Sequence, residues 1–237
     1  MTKILDRLEA AEPPRFPHRL ASGRPELWSV LSGISVLLHT TVALATQSGP
    51  RDRRAGSDPA QRAVALQAHR AAPMILGYAD LLHQQDEPAL AEMERAVALA
   101  PQQAWAYAGL AQGLSMVGRT EEALRAAEQA QRLQTSGPAD EYRLSVGIAY
   151  YFAGRPEEAM APLKQYFARY PNILGARLTL AAVYSELGKD AEARAEAEEV
   201  LRLNPKFSLA MHKERALLKD PAVLERHIEA LRRAGFK

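Results

Sequence analysis

Histidine is the residue type in this chain with the widest range of possible site chemistry, because the 237 residues include no cysteine. The six histidines occupy positions 18, 39, 69, 83, 212 and 227. None belongs to an H-E-x-x-H motif, and no two lie at the spacing of zinc ligands. His212 and His227 could meet near the carboxy terminus, but we interpret both as surface histidines. The sequence therefore predicts no metal site and no cofactor.

Motifs for phosphate binding and nucleophilic catalysis are also absent from the sequence. The string "LGKD" at 187–190 lacks the upstream glycine and the following Ser or Thr of a phosphate-binding loop. No G-x-S-x-G motif, which would present a serine nucleophile on a tight turn, occurs. The carboxylate pairs Glu121/Glu122 and Glu157/Glu158 fall in the first turn of predicted helices, where negative charge complements the helix dipole. We therefore expect no catalytic residue and no enzymatic activity.

Charge and composition narrow the class of protein further. The 30 basic and 28 acidic residues are well mixed, which gives no strong positive field for nucleic acid. The hydrophobic content of 47% is ordinary for a folded protein, and it comes mainly from alanine and leucine, with 5 Phe and 2 Trp. Because alanine is the strongest helix former, this composition favours helices that pack closely together.

Nearly the same string of residues returns along the chain, as "VGRTEEAL" at 117–124, "AGRPEEAM" at 153–160 and "LGKDAEAR" at 187–194. Aligning these strings gives four units with starts separated by 34, 36 and 34 residues: Arg70, Ala104, Asp140 and Leu174. The twentieth position of the unit is always alanine: Ala89, Ala123, Ala159 and Ala193. The eighth position is always small: Gly77, Ala111, Gly147 and Ala181. Small residues at both positions predict two helices per unit in close contact, which a larger side chain would overpack.

Glycine and proline mark the predicted ends of these helices. A glycine suited to left-handed backbone geometry lies between the two helices of three units: Gly118, Gly154 and Gly188. The first unit has Gln84 there instead. Proline, which cannot continue a helix, ends the second helix of three units, and Thr135 is the exception. The three prolines are Pro101, Pro171 and Pro205.

With this period and these small residues, the chain resembles the tetratricopeptide repeat (TPR) family. The resemblance implies an all-α solenoid of TPR helical hairpins, wound as a right-handed superhelix. The four units would span 70–103, 104–139, 140–173 and 174–205. A degenerate first repeat is predicted at 26–69, because "QRAVALQ" at 61–67 echoes "ERAVALA" at 94–100. Residues 1–25 form an N-terminal segment that we assign to no element.

The uncharged run "WSVLSGISVLLHTTVALA" at 28–45 has two interpretations. It approaches the length of a membrane-spanning helix, but Ser, Thr, Gly and His residues dilute its apolar character. We favour a buried first helix of the degenerate repeat, and we expect a cytoplasmic protein. Membrane association through 28–45 is the alternative.

Residues 206–237 depart from the repeat period. Asp220 and Pro221 predict a helix start, and Val223, Leu224, Ile228 and Leu231 then follow at helical spacing. We expect a capping helix, since the last repeat of a solenoid has no neighbour to cover its apolar side.

The strings "LRLNPKFSL" at 201–209 and "KDPAVLERHIEALRRAGF" at 219–236 resemble the end of the TPR regions attached to bacterial class III adenylate/guanylate cyclases, and the resemblance begins near residue 58. The resemblance implies a regulatory or interaction module. Cyclase activity does not carry over, because no stretch of alternating strands is present to hold paired metal-binding aspartates.

The predicted functional surface is the concave groove lined by the first helix of each unit. Positions that face this groove in the family carry mainly apolar and aromatic residues here: Met74, Tyr78, Trp105, Gln112, Leu144, Ile148 and Tyr151. Such a surface suits a peptide with hydrophobic anchors. Packing against neighbouring helices is the alternative role of these side chains.

Arg143 and Arg177 occupy equivalent positions one repeat apart, and could form a basic step for an acidic ligand. We expect a non-catalytic scaffold that binds a peptide or protein partner in bacterial signalling; the alternative is the regulatory module of a cyclase system.

Overall fold

A computed structural model describes residues 59–133 and 142–237 of the chain. All regular secondary structure in these two ranges is helical. The helices are α1 (Pro59–Leu82), α2 (Asp86–Leu99), α3 (Ala104–Met116), α4 (Thr120–Arg132), α5 (Tyr142–Phe152), α6 (Pro156–Arg169), α7 (Leu174–Glu186), α8 (Asp190–Leu203), α9 (Leu209–Glu214) and α10 (Pro221–Arg233). The predicted all-α class is confirmed.

The first eight helices form four hairpins in chain order: α1 with α2, α3 with α4, α5 with α6, and α7 with α8. Each hairpin packs on the next, and the first helices α1, α3, α5 and α7 also contact one another in series. This stacking of helical hairpins is the predicted solenoid of TPR type, in which each unit buries its apolar side against its neighbours.

Small residues set the distance between the two helices of a hairpin, as the sequence predicts. Ala89, Ala123, Ala159 and Ala193 are all fully buried or nearly so. A Cβ atom added at Gly77 would lie 2.7 Å from the carbonyl oxygen of Ala89, and one added at Gly147 would lie 2.6 Å from Cγ of Leu163. Both distances are far below van der Waals contact. The backbone of α2 and the Leu163 side chain of α6 therefore occupy the space that a side chain at Gly77 or Gly147 would need.

The predicted turn geometry is also confirmed. Gly118, Gly154 and Gly188 have φ values of 84°, 74° and 69°, and Gln84 adopts the same left-handed region at 60°. The second helices α2, α6 and α8 end two residues before the prolines at 101, 171 and 205. Thr135, the exception to the proline pattern, lies outside the described residues.

The amino-terminal part differs in one respect from the expected arrangement. Helix α1 runs without a turn across the boundary predicted between residues 69 and 70. Residues 1–25, the run 28–45 and most of the predicted degenerate repeat lie outside the described residues. Within the ranges that are described, no helix is both long enough and apolar enough to cross a membrane.

The carboxy-terminal region contains the predicted helix and a shorter one. Asp220 caps α10, because its carboxylate accepts hydrogen bonds from the backbone N–H groups of Ala222 (2.8 Å) and Val223 (3.3 Å). Helix α9, which the sequence analysis did not predict, is capped by Ser208. Helix α10 packs on α7, the first helix of the last hairpin.

The contact at Gly77 can be tested by Gly77→Ala. We expect a loss of about 1 to 2 kcal/mol in the free energy of unfolding, because overpacking against the Ala89 carbonyl outweighs the roughly 1 kcal/mol gain in helix propensity. Gly113→Ala is the matched control, because an added Cβ there meets only the side chains of Met93 and Leu90. Urea unfolding measures both variants. An equal or larger loss for Gly113→Ala would contradict this account.

Candidate partner-binding face

The first helices α1, α3, α5 and α7 form a continuous surface, which we call the inner face. Residues 209–237, the C-terminal segment, lie on it. Most of the predicted groove residues are buried here: Met74, Tyr78, Gln112, Leu144, Ile148 and Tyr151. Trp105 and Arg143 are partly buried. The structure thus brings the predicted residues to one surface, but it does not leave that surface open.

A buried polar network links three successive hairpins across the inner face. Oε1 of Gln112 accepts hydrogen bonds from the Tyr78 hydroxyl on α1 (2.9 Å) and from the Ser145 hydroxyl on α5 (2.8 Å). Burial raises the pKa of Tyr78 well above its usual value, so the hydroxyl keeps its proton and donates. These side chains therefore hold neighbouring repeats in register. For Tyr78 this agrees with the alternative prediction, packing against neighbouring helices.

The two arginines do not form the basic step that the sequence suggested. Arg177 is buried and points toward the second helices, where its Nη1 lies 2.6 Å from Oε2 of Glu196. Its guanidinium also lies 4.5 Å from the centre of the Phe167 ring. Arg143 lies 5.8 Å from the centre of the Tyr142 ring. Since Arg177 is already neutralised by Glu196 on α8, it offers no charge to an acidic ligand.

The C-terminal segment crosses the inner face as an extended stretch followed by α10. Leu217 packs against the apolar cluster that contains Met74 and Tyr78. The backbone N–H of Lys219 donates to the carbonyl oxygen of Met116, the last residue of α3, at 2.9 Å. Nζ of Lys219 lies 3.6 Å from Oδ2 of Asp86 at the start of α2. The stretch between α9 and α10 is therefore bound through its backbone, an apolar side chain and a cation.

Arg226 makes the most extensive contacts of the segment. Its Nη2 donates to the carbonyl oxygens of Tyr151 (2.7 Å) and Phe152 (3.0 Å) at the end of α5. Its Nε lies 3.3 Å from Oε1 of Glu186 at the end of α7, an ion-pair distance without hydrogen-bonding geometry. Burial raises the pKa of Glu186, and the charges of Arg226 and Arg233 oppose this shift. The guanidinium thus stabilises the C-terminus of α5, where carbonyl oxygens lack partners within the helix, and it pairs with the carboxylate of the last residue of α7.

His227 is buried and His212 is partly buried, so the interpretation of both as surface histidines was wrong. Their Nε2 atoms lie 3.2 Å apart, and Nδ1 of His227 lies 3.0 Å from the Tyr151 hydroxyl. Two facing ring nitrogens can share one proton, so the pair is stable when both imidazoles are neutral. Burial lowers the pKa of His212 to about 4 and that of His227 well below its usual value. The pair therefore joins α9 and α10 to α5.

A small cavity of about 80 Å³ remains between the segment and the inner face. Met116, Ile148, Phe152 and Leu178 line it from the repeats, and His212 and Leu217 line it from the segment. Its volume is far below the roughly 300 Å³ or more of a typical ligand pocket. Among the described residues, no group of three or more His, Asp or Glu side chains is placed to hold a metal ion. The arrangement suits the binding of a polypeptide segment.

Several residues that build this arrangement were missed by the sequence analysis, chiefly Ser145, Lys219 and Arg226. A usable signal was present, since none of α1, α3, α5 and α7 has a basic residue in its last turn. Of the second helices, α4, α6 and α8 carry Arg132, Arg169 and Arg202 in their last turns, and α2 carries no basic residue there. Helices without a basic residue at their own C-termini can receive one from elsewhere in the chain.

Comparisons with known proteins agree with this architecture. Residues 152–218 match the profile of a family described as Tetratricopeptide repeat. Among curated protein sequences, none is significantly similar to the chain. A solved structure from the functional characterisation of pilF of Pseudomonas aeruginosa is 22% identical with a TM-score of 0.52, and the alignment covers 73% of this chain and 79% of that one. This likeness supports the fold, and its identity is too low to carry a function.

Two further solved structures are similar over most of their length. YrrB, described as a TPR protein with an unusual peptide-binding site, is 22% identical with a TM-score of 0.44, and the alignment covers 75% of this chain and 91% of that one. A thermophilic TPR protein of Thermus thermophilus is 22% identical with a TM-score of 0.46, and the alignment covers 84% and 98% of the two chains.

The polar network can be tested by Gln112→Leu, which leaves the hydroxyls of Tyr78 and Ser145 without their shared acceptor. We expect a loss of about 1 to 3 kcal/mol in the free energy of unfolding. Tyr78→Phe should cost less in the Gln112→Leu background than in the wild type, because it then removes an unpaired hydroxyl. Denaturant unfolding of the single and double variants measures this coupling. Additive losses would show that the network does not link the repeats.

The histidine pair predicts a loss of stability on acidification. The unfolded chain binds protons at its histidines below pH 6.5, whereas the buried pair stays neutral to much lower pH. The free energy of unfolding should therefore fall as pH drops from about 6.5 toward 4, by about 1 to 2 kcal/mol per imidazole between pH 7 and 5.

Urea unfolding at pH 7 and 5 measures this effect. His227→Phe should weaken the pH dependence, and His83→Gln is the matched control because His83 is exposed. A pH dependence that is the same in both variants would argue against the pair as its source.

Proposed function

We propose that this TPR-type repeat protein is a non-catalytic interaction scaffold and that its inner face binds a segment of a protein partner. The observation that carries the proposal is that this face already binds a polypeptide segment, its own residues 216–226. The extended stretch is held by a backbone hydrogen bond to Met116, by the contact of Leu217 with the apolar cluster and by Lys219 at Asp86, and Arg226 holds α10 to the end of α5. A surface that binds one polypeptide by these means has the chemistry to bind another.

Exposure of the segment supports this interpretation. Ala216, Leu217 and Leu218 are each only partly buried, and Lys219 is exposed. The stretch therefore lies on the surface of the repeats and is not enclosed by them. By contrast, Ile228 and Leu231 on α10 are fully buried. Displacement by a partner therefore begins at the extended stretch, and Arg226 with α10 is displaced only when the partner also reaches the ends of α5 and α7.

The partner itself can be recovered by affinity purification of the full chain from its source cells. Hydrogen exchange of the chain with and without that partner then tests where it binds. We expect slower exchange in the C-terminal turns of α3 and α5, and faster exchange in residues 216–220, because the partner replaces that stretch.

The second helices α4 and α6 provide the internal reference for this experiment. Their exposed surfaces lie away from the inner face, so their exchange should stay unchanged. Protection confined to α4 and α6, with residues 216–220 unaffected, would show that the partner binds the outer surface and would contradict the proposal.

A second candidate function is the regulatory module of a nucleotide cyclase system, placed in bacterial signalling. The observation that favours it is the resemblance of residues 201–237 to the end of cyclase-attached TPR regions. Under this proposal the catalytic domain belongs to another part of the system. The gene neighbourhoods of related sequences test this idea, since their neighbouring genes should encode cyclase or other signalling domains. Consistent absence of such neighbours would count against it.

A further inference from the structure

We propose that the partner segment is cationic and apolar, and that it binds a row of acceptors formed by the C-termini of the first helices. This acceptor edge consists of the carbonyl oxygens of Met116, Tyr151 and Phe152 together with the carboxylates of Asp86 and Glu186. The inference rests on the proposed function for the location of the site, and it adds the chemistry of the partner.

The charge of the acceptor edge is set by its helix ends and its two carboxylates. The C-terminus of a helix carries partial negative charge on carbonyl oxygens that lack partners within the helix. None of the first helices supplies a basic residue of its own in its last turn. Asp86 and Glu186 add two carboxylates beside these termini. Arg119 and Arg155 follow α3 and α5 by three residues, but they pair with Glu122 and Glu158 on the second helices. The cations that contact the edge therefore come from the C-terminal segment.

Two carboxylate oxygens of the edge make no hydrogen bond, and one of them, Oε1 of Glu186, lies 3.3 Å from Nε of Arg226. Oδ1 of Asp86 and Oε1 of Glu186 are buried, and neither has a hydrogen-bond partner among the described residues. A buried acceptor without a donor is unfavourable, so both oxygens can gain from an additional donor. The resident segment thus satisfies the edge incompletely. A partner whose cations reach these two oxygens would bind the edge more tightly than the resident segment does.

The pattern of the resident segment shows what the edge accepts. Leu217 occupies the apolar cluster, Lys219 follows two residues later at Asp86, and Arg226 reaches the ends of α5 and α7 from the helix beyond. The pattern is an apolar anchor, then a cation, then a helix with a second cation. An acidic peptide does not fit, because it would place like charges beside Asp86 and Glu186.

The probe for the test is a fluorescent synthetic peptide of residues 216–237, added to the full chain. Wild type should bind it weakly, because the tethered segment already occupies the edge at high effective concentration. The double variant Lys219→Ala/Arg226→Ala should bind it at least about tenfold more tightly by fluorescence anisotropy. Arg232→Ala is the matched control, since Arg232 is exposed and pairs with Glu229 on α10 itself. It should bind the peptide as weakly as wild type.

Selectivity is tested with a second peptide in which Lys219 and Arg226 are replaced by glutamate. The double variant should bind this peptide at least about tenfold more weakly than the basic one, and raising the salt concentration should reduce that difference. Equal binding of the two peptides would overturn the proposed charge preference.

Hydrogen exchange shows whether the tethered segment is released in the double variant. Residues 216–226 should exchange faster than in wild type, and failure to do so would mean that the cations do not hold the segment. Faster exchange without tighter peptide binding would also overturn the proposal. If the double variant loses its helical circular dichroism, Arg226→Gln alone replaces it in the same assays. If the peptides bind as expected but affinity purification recovers no natural partner, the result supports the charge preference of the edge. It counts against the proposed function instead.

Discussion

The close approach of two helices at small residues is the constraint on which the rest of this structure depends. Gly77 and Gly147 on first helices face second helices so closely that an added Cβ would overlap them. Four buried alanines make the matching contact possible from the other side. Because this distance is fixed in every hairpin, the hairpins stack in series and the first helices line up on one surface. Their C-termini form a row as a consequence.

That row accounts for the position of the C-terminal segment. Helix ends without basic residues leave carbonyl oxygens that favour cations, and Lys219 and Arg226 supply them from outside the repeats. The histidine pair adds a contact that joins α9 and α10 to Tyr151. The carbonyl oxygens and carboxylates of this edge bind the cations of the chain's own segment. A competing segment must therefore carry cations as well.

The sequence predicted the hairpins well because their determinants are local and repeat. Alanine at one position, glycine at the turn and proline after the second helix each act within one unit. The inner face was harder to predict, because Arg226 and Tyr151 are 75 residues apart and no periodicity relates them. Arg177 could be placed on the right helix by its position in the repeat. Its side chain nevertheless turns toward Glu196, and repeat position alone does not determine that direction.

The location of the C-terminal segment against its own repeats is the central claim, and an engineered disulfide tests it directly. A Cβ atom built at Gly118 lies 3.5 Å from Cβ of Asp220, within the range of disulfide geometry. Cysteine at the left-handed position 118 (φ 84°) costs about 1 to 2 kcal/mol, which is less than a disulfide typically contributes. The chain has no native cysteine, so Gly118→Cys/Asp220→Cys introduces a single pair. Mass spectrometry after mild oxidation should find an intramolecular disulfide in a monomer. Free thiols or disulfide-linked dimers, in a protein that keeps its helical content, would show that the segment does not lie there.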